Sequence, residues 1–190
     1  MSLRKFKISP ESAKKFKLAF IENWDKRKVV NNKICGSPAD WECVEGYCEL
    51  SIDAKEGKRS MCLKNVDGKW SKLKKLNFSA KQVAVETWFK WTGEPYYPSV
   101  EHPSYGKIIL YEDLDKGVWD LRKAVFWYDE GLDKRLGELF RFNESTNKWE
   151  SVRVYDFGYG EPAPDTIYLV MQGGGTWGYA YFDLTKIYTA

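Results

Sequence analysis

Short runs of alternating apolar and polar residues, separated by Gly, Asn and Asp, fill most of the chain after residue 46. Such runs are typical of β-strands, because successive side chains of a strand point to opposite faces of a sheet. The pattern predicts ten strands, at residues 47–53, 59–65, 69–76, 82–91, 107–112, 118–128, 136–143, 148–156, 166–172 and 176–187. A Pro-rich segment, residues 92–105, interrupts them. It is predicted to be a loop, since Pro cannot donate to the ladder of a central strand.

One amphipathic helix is predicted ahead of the strands, over residues 10–24. Pro10 suits the first position of a helix, where its missing N–H costs nothing. Phe16, Phe20 and Trp24 then recur every four residues and form one apolar stripe, with charged residues off the stripe. We expect this helix to pack its aromatic stripe against a sheet.

A short motif, Gly-x-Trp, recurs among the predicted strands. It occurs at Gly68-Lys69-Trp70, Gly117-Val118-Trp119 and Gly175-Thr176-Trp177, and with Asn for Gly at Asn147-Lys148-Trp149. Gly and Asn tolerate the left-handed backbone conformation that tight hairpin turns require. An apolar run precedes each motif and a second strand follows it. We therefore predict four hairpins in a meander over residues 58–187, each with a Trp that opens the return strand.

The Gly-x-Trp element resembles the one that lipocalin-like barrels carry near their first strand. This resemblance implies a calycin-like, antiparallel up-and-down barrel, whereas the strand pattern itself fits a two-sheet sandwich equally well. A chain of 190 residues has room for one domain. The sequence thus predicts a single, mainly β domain over residues 1–190, a barrel or a sandwich of eight to ten strands with one N-terminal helix.

Composition agrees with this fold class and adds a charge asymmetry. Aromatic residues make up 16% of the chain, with 9 Trp, 12 Tyr and 10 Phe, and such residues favour strands. The net charge is +3, but residues 1–90 are basic and residues 91–190 are acidic. A basic half can meet nucleic acid, a lipid surface or an anionic ligand, although such lysines also serve solubility alone.

Four cysteines, Cys35, Cys43, Cys48 and Cys62, fall within the segment 35–62. No Cys-x-x-Cys pair is present, which argues against a zinc ribbon, so they are either reduced thiols or form disulfides. No apolar run is long enough for a membrane span, and the N-terminus lacks the apolar core of a signal peptide. We expect a cytoplasmic protein, or a secreted one if a signal has been removed.

Catalytic motifs are sparse. His102 is the only histidine and lies in the predicted loop, and no Gly-x-Ser-x-Gly element supports a nucleophile, so no catalytic role is expected for it. A glycoside hydrolase would need two facing carboxylates, for which Glu86, Glu138 and Glu150 are the candidates on strands. No spacing pairs two of them. Since no motif for a cofactor or a metal ion emerges either, an enzyme is less favoured than a binding protein.

The motif Trp and the residues two and four positions after it share one face of a strand. This parity predicts an aromatic and cationic binding surface, formed by Trp70, Lys74, Trp119, Lys123, Trp149, Arg153, Trp177, Tyr179 and Tyr181. Aromatic rings stack on planar or sugar ligands, and cations pair with anionic groups. In a meander the four Trp residues would gather at one rim, where they either line a mouth or plug the end of the core.

The function predicted from these features is non-catalytic binding of a small planar, anionic or carbohydrate ligand. Three alternatives remain: a protein–protein interaction or assembly module, a jelly-roll glycoside hydrolase, and a protein that binds single-stranded nucleic acid. Nucleic acid is the weakest of the proposed partners. Neither the ligand nor the oligomeric state is specified by the sequence.

Overall fold

The computed structural model describes residues 16–30, 33–35, 40–66, 68–94, 97–172 and 177–190. These residues form fifteen strands and one short 3-10 turn, Trp24–Lys26. The strands are β1 Lys17–Glu22, β2 Lys28–Val30, β3 Lys33–Cys35, β4 Trp41–Glu45, β5 Tyr47–Ser51, β6 Ser60–Asn65, β7 Ser71–Lys75, β8 Val83–Gly93, β9 Ser99–His102, β10 Gly106–Ile109, β11 Asp120–Asp129, β12 Lys134–Asn143, β13 Lys148–Tyr159, β14 Tyr168–Met171 and β15 Gly178–Thr189. All ten predicted strands are present, as β5–β8 and β10–β15, with their ends shifted by a few residues.

The strands form two antiparallel sheets. The major sheet has the order β13-β12-β11-β8-β15-β6-β5, with β1 paired to β15, and the minor sheet has the order β10-β9-β14-β7-β4-β3-β2. The predicted mainly β class is confirmed. Of the two predicted architectures, the structure is the two-sheet sandwich and not the calycin-like barrel. The strand number exceeds eight to ten because β1–β4 and β9 were not predicted.

The core lies between the two sheets and is rich in aromatic side chains. Trp24, Trp41, Phe89, Phe126 and Phe182 are fully buried and belong to one continuous apolar cluster. Burying apolar area of this size is the main favourable term in folding. Trp24 of the predicted aromatic stripe is therefore a core residue, whereas Phe20 is only partly buried against the cluster.

The N-terminal helix prediction is wrong over the residues that the structure describes. Lys17–Glu22 is strand β1, which pairs with the C-terminal strand β15, and residues 10–15 lie outside the described part. The aromatic and β-branched residues that mimicked a helical stripe are also good strand formers, and the open edge of β15 supplies their hydrogen bonds. Within the described ranges, no helix is long and apolar enough to cross a membrane.

The Pro-rich segment 92–105 is only partly a loop. Its first residues extend β8 to Gly93, and Ser99–His102 forms β9, which lies between β10 and β14 in the minor sheet. This strand fits exactly between Pro98 and Pro103, so each of its four residues keeps an N–H to donate. The prediction that no central strand occurs here is corrected accordingly.

Three of the four predicted hairpins are crossings between the sheets. Gly68, Gly117 and Asn147 do have the predicted positive φ, at 70°, 80° and 53°. However, β6 and β7, β10 and β11, and β14 and β15 lie in different sheets, and of the four predicted hairpins the one formed by β12 and β13 is observed. Gly175 lies outside the described residues. Because a crossing directs the next strand to the other sheet, Trp70 lies beside the minor sheet, whereas Trp119, Trp149 and Trp177 lie at the starts of β11, β13 and β15, at one end of the major sheet.

The cysteines of the 35–62 segment lie on four different strands. Cys43 on β4 and Cys62 on β6 are buried free thiols, and Cys48 on β5 is a partly buried free thiol. Cys35 ends β3, and its side chain lies outside the described part of the structure.

A buried charge cluster joins β1 to the minor sheet. The Arg27 guanidinium donates through Nε to Glu22 Oε1 at 2.8 Å and through Nη2 to Asp40 Oδ2 at 2.7 Å. Trp41 Nε1 donates to the other oxygen of Glu22 at 3.1 Å. Glu22 and Asp40 are almost completely buried, and among the described residues the cations that contact them are Arg27 and Lys75, whose Nζ is 3.6 Å from Asp40.

We predict that Arg27→Met lowers the free energy of unfolding by about 3–5 kcal/mol, because it leaves two buried carboxylates without their main cation. Lys81→Met is the control, since Lys81 pairs with Glu161 on an exposed surface, where a pair contributes less than about 1 kcal/mol. Urea unfolding followed by tryptophan fluorescence measures both. Equal losses in the two variants would contradict the role assigned to Arg27.

Candidate functional site

The face of the major sheet that points away from the minor sheet, here called the outer face, carries an unusual number of aromatic side chains. Because Phe89 and Phe182 point into the core, their neighbours Trp88, Lys90 and Tyr181 point outward. In ordinary two-sheet packing an outward face is mainly polar. The aromatic residues of the outer face form two groups.

The first group is a continuous row of four rings, here called the aromatic ladder. Trp177 contacts Tyr179 at 5.6 Å between ring centroids, Tyr179 contacts Tyr181 at 6.3 Å, and Tyr181 contacts Trp119 at 6.3 Å. Trp177 is 61% exposed, so its ring makes little contribution to the core. The structure thus brings together four of the residues predicted to form the binding surface.

Two lysines lie against the aromatic ladder. Lys90 Nζ is 4.9 Å from the ring centroids of both Trp119 and Tyr181, and Lys64 Nζ is 5.8 Å from that of Tyr179. Each lysine also has a carboxylate partner: Lys90 pairs with Asp53, and Lys64 pairs with Glu49 at 2.6 Å. The ladder therefore combines ring faces with ion pairs that are already satisfied within the protein.

The second group surrounds a cavity of about 330 Å³, here called the Trp149 pocket. Its lining is formed by Phe16, Ala84, Lys123, Val125, Phe140, Trp149 and Tyr188. Phe140 and Tyr188 pack on the small apolar cluster of Ala84 and Val125 beneath the pocket. A concave apolar site with one charged group is the usual form of a small-ligand pocket.

Lys123 is held over Trp149 by a buried carboxylate. Its Nζ is 4.0 Å from the Trp149 ring centroid and 2.8 Å from Glu86 Oε2, and Lys186 Nζ lies 3.1 Å from the other oxygen of Glu86. Burial pushes the pKa of Glu86 upward, but its hydrogen bonds and charge contacts with the two lysines outweigh burial, and its pKa is lowered. Glu86 is therefore a carboxylate anion that positions Lys123.

Two predicted site residues lie on the opposite side of the sandwich. Trp70 and Lys74 belong to the minor sheet, where Lys107 Nζ is 3.7 Å from the Trp70 ring centroid. Lys74 of β7 pairs with Tyr168 of the neighbouring strand β14. It directly follows the core residue Leu73, so its side chain points outward from the minor sheet. The crossing between β6 and β7 separates these two residues from the rest.

Arg153 also lies away from Trp149, for a local reason. The register between β12 and β13 shifts between Leu139 and Phe140, which places one extra residue in β13. Arg153 consequently pairs with the core residue Leu139, and its Nη1 is 2.6 Å from Glu112 Oε1. A bulge reverses the parity of a strand, so the rule that residues four apart share a face fails here.

Sequence reasoning missed several residues of the outer face, notably Trp88, Lys90, Phe140 and Tyr188. The signal was present in the strand parity. Trp88, Lys90 and Phe140 each alternate with a core residue in a predicted strand, as Trp88 does with Phe89, whereas Tyr188 lies one residue beyond the predicted end of its strand. Phe16 carried no such signal, because it was assigned to a helix.

A loop of residues 52–59 borders the outer face between the two groups. Asp183 Oδ2 accepts the backbone N–H groups of Lys55 and Glu56 at 2.8 and 2.7 Å, which ties the loop to β15. Lys55 Nζ lies 4.7 Å from the Trp88 ring centroid, and Trp88 Nε1 donates to Glu56 at 2.7 Å. The loop thus forms one side wall of the outer face.

The carboxylates considered for glycoside hydrolysis do not converge as a set. Glu86 and Glu138 both belong to the outer face, with β11 between their strands. Glu150 points the other way and is bound by Arg141 and Asn143. Among the described residues, no group of three or more His, Cys, Asp or Glu side chains could hold a metal ion.

Comparisons with known proteins identify the fold and nothing narrower. No family model matches the chain, and no curated protein matches it. Among solved structures, the chain is similar to "Cellulose induced protein, Cip1" (TM-score 0.52, 11% identity, 80% of this chain and 94% of that one). It is also similar to the exoplasmic/lumenal domain of VIP36 in a Ca2+/Man2-bound form (0.52, 9%, 90% and 87%) and to peanut lectin with a 9mer peptide (0.50, 6%, 90% and 97%). These similarities show a lectin-like β-sandwich.

His102, predicted to be an exposed loop residue, is fully buried at the end of β9. Its Nε2 lies 2.8 Å from the Ala80 carbonyl oxygen, and its Nδ1 accepts the Ser104 N–H at 3.3 Å. Nε2 must therefore carry the proton of a neutral ring. Burial lowers the pKa of His102, and the weaker opposing effects of the Ala80 hydrogen bond and of Asp165 do not offset it.

We predict that the protein loses stability as the pH falls below about 6.5, because His102 binds a proton in the unfolded chain but stays neutral when it is buried in the folded protein. His102→Gln keeps a hydrogen-bond donor for the Ala80 carbonyl and removes the titrating group. Compared with the unaltered protein, the variant should have a lower free energy of unfolding at pH 7.5, and this free energy should change less between pH 7.5 and 5.5. Urea unfolding at a series of pH values measures this difference. Parallel profiles for the two proteins would refute it.

Proposed function

We propose that this protein binds carbohydrate without catalysis, on the outer face of the major sheet. Of the residues predicted from the sequence, Trp119, Lys123, Trp149, Trp177, Tyr179 and Tyr181 would form the binding surface. Trp70, Lys74 and Arg153 would take no part. The observation that carries the proposal is the Trp149 pocket, in which aromatic rings surround a lysine that is already paired with a carboxylate.

The chemistry of the pocket matches a sugar ring. The apolar C–H face of a sugar packs on an aromatic ring, and the side walls of Phe16, Phe140 and Trp149 offer such rings. A sugar hydroxyl both donates and accepts hydrogen bonds, and the Lys123–Glu86 pair presents a donor and an acceptor together. An ion pair of this kind serves a polyhydroxylated ligand better than either charge alone.

Carbohydrate is also the ligand that the structural neighbours favour. The VIP36 domain that shares this fold is described in a mannose-bound form, and peanut lectin is a lectin by name. Sequence identities of 9% and 6% carry no residue across. The support is that a lectin-like sandwich and an aromatic outer face occur together in this chain.

Binding is preferred to hydrolysis because the candidate carboxylates do not converge as a set and because Glu86, held by two lysines, is not suited to be the acid. A glycoside hydrolase needs one protonated carboxyl group as the acid, whose pKa is raised. The pKa of Glu86 is instead lowered by Lys123 and Lys186 against the effect of burial. We therefore assign Glu86 to positioning Lys123 for the ligand.

We predict that Trp149→Ala weakens carbohydrate binding about 30-fold, which corresponds to about 2 kcal/mol for an aromatic side chain at the centre of a site. Isothermal titration calorimetry with neutral gluco- and manno-oligosaccharides measures the affinity. A panel of these sugars is the first screen, because the ligand is defined so far only as carbohydrate.

Trp70→Ala is the matched control. Both tryptophans are partly buried and both have a lysine ammonium about 4 Å above the ring, but Trp70 belongs to the other sheet. Trp70→Ala should retain full affinity. Loss of binding in Trp70→Ala with Trp149→Ala unaffected would place the site on the minor sheet, and absence of binding to every sugar would refute the proposed function.

A further inference from the structure

We infer that the ligand is an extended, neutral glycan that lies along β11, from the aromatic ladder to the Trp149 pocket. This inference rests on the proposed function and adds the length and the charge of the ligand. It follows from the spacing of the two aromatic groups, from the surface between them and from the pairing of the lysines beside them.

Strand β11 connects the two groups. Trp119, the last ring of the ladder, immediately precedes β11, and Lys123 of the pocket is four residues further along. At about 3.3 Å per residue, this spacing places them about 13 Å apart along the strand. A single sugar ring cannot contact both, whereas a chain of several units can.

The surface between the two groups is continuous and has a wall on one side. Leu121 lies midway between Trp119 and Lys123 on the same face of β11, and it pairs across the sheet with Trp88. Trp88 is fixed by Glu56 and by Lys55 of the 52–59 loop, which Asp183 holds in place. A glycan along β11 would thus have an apolar floor and the loop as one wall.

Most of the lysines that border this path form ion pairs within the protein; Lys55, which lies over Trp88, has no ion pair among the described residues. Lys64, Lys90 and Lys123 pair with Glu49, Asp53 and Glu86, respectively. Lys186 shares Glu86 with Lys123. An anionic ligand would have to compete with these carboxylates and would meet their repulsion. A neutral glycan meets no such repulsion and can use both members of each pair for its hydroxyl groups.

The same charges disfavour single-stranded nucleic acid, although the aromatic ladder could stack on bases. Nucleic-acid grooves combine stacking rings with an excess of cations that follow the phosphates. On this face the cations lie beside carboxylates, which would repel a phosphate backbone. Neutral glycan is therefore the favoured occupant, and nucleic acid becomes an outcome of the test.

The test is a series of chain lengths. Calorimetry with neutral β-linked gluco- and manno-oligosaccharides of two, four and six units should give an affinity that rises at least tenfold from two to six units. Trp177→Ala should abolish this rise, because Trp177 is exposed at the far end of the ladder. Tyr159→Ala, which removes an equally exposed ring outside the path, should behave like the unaltered protein.

Charge is tested with oligogalacturonate of the same lengths and with oligothymidylate, at low and high salt. Weak binding of both anions, with salt-insensitive binding of the neutral series, is the expected result. Tighter, salt-sensitive binding of either anion would overturn the neutral class. If neutral sugars bind with an affinity independent of length and of Trp177, the extended path is wrong and carbohydrate binding stands. If no sugar of any length binds, the proposed function itself fails.

Discussion

The packing of the major sheet against the minor sheet is the contact on which the rest of the molecule depends. It buries Trp24, Trp41, Phe89, Phe126 and Phe182 in one core, and it assigns one face of every major-sheet strand to that core. Strand alternation then forces the intervening residues to the opposite face. Many of these are aromatic as well, so the chain carries a second set of rings that the core does not require. That surplus is what makes the outer face a candidate site.

The strands themselves were readable from the sequence, because alternation and turn residues are local signals. The arrangement of those strands was not. Whether the turn at Gly117 returns a strand to its own sheet or sends it to the other depends on which sheet can bury the next apolar face, and this is decided by contacts distant in sequence. Three crossings were therefore mistaken for hairpins, and Trp70 was expected on the same surface as Trp119, Trp149 and Trp177.

The candidate site could be predicted from the sequence only where its strands were recognised and are regular. The parity rule placed Tyr179 and Tyr181 on one face correctly, since β15 is regular through these residues, and Trp177, which directly precedes β15, contacts Tyr179. It failed at Arg153, because one bulge residue in β13 reverses the alternation and leaves no mark in the sequence. Phe16 was missed for another reason: its segment has helical spacing, but β1 pairs with β15.

The lysines of the outer face change the chemistry expected of it. From the sequence, these lysines were expected to pair with an anionic ligand. In the fold, Lys64, Lys90 and Lys123 each form an ion pair with a carboxylate on a neighbouring strand or loop. These ion pairs form only once the strands and the 52–59 loop are in place. A face of rings and neutralised ion pairs is suited to hydroxyl-rich ligands.

The most direct measurement is a ¹H–¹⁵N NMR titration that follows the nine tryptophan indole N–H signals as a neutral hexasaccharide is added. Binding along the outer face predicts shifts at Trp119, Trp149 and Trp177, with the signal of Trp70 unchanged. Shifts confined to Trp70, or a hexasaccharide that moves none of the nine signals, would contradict it.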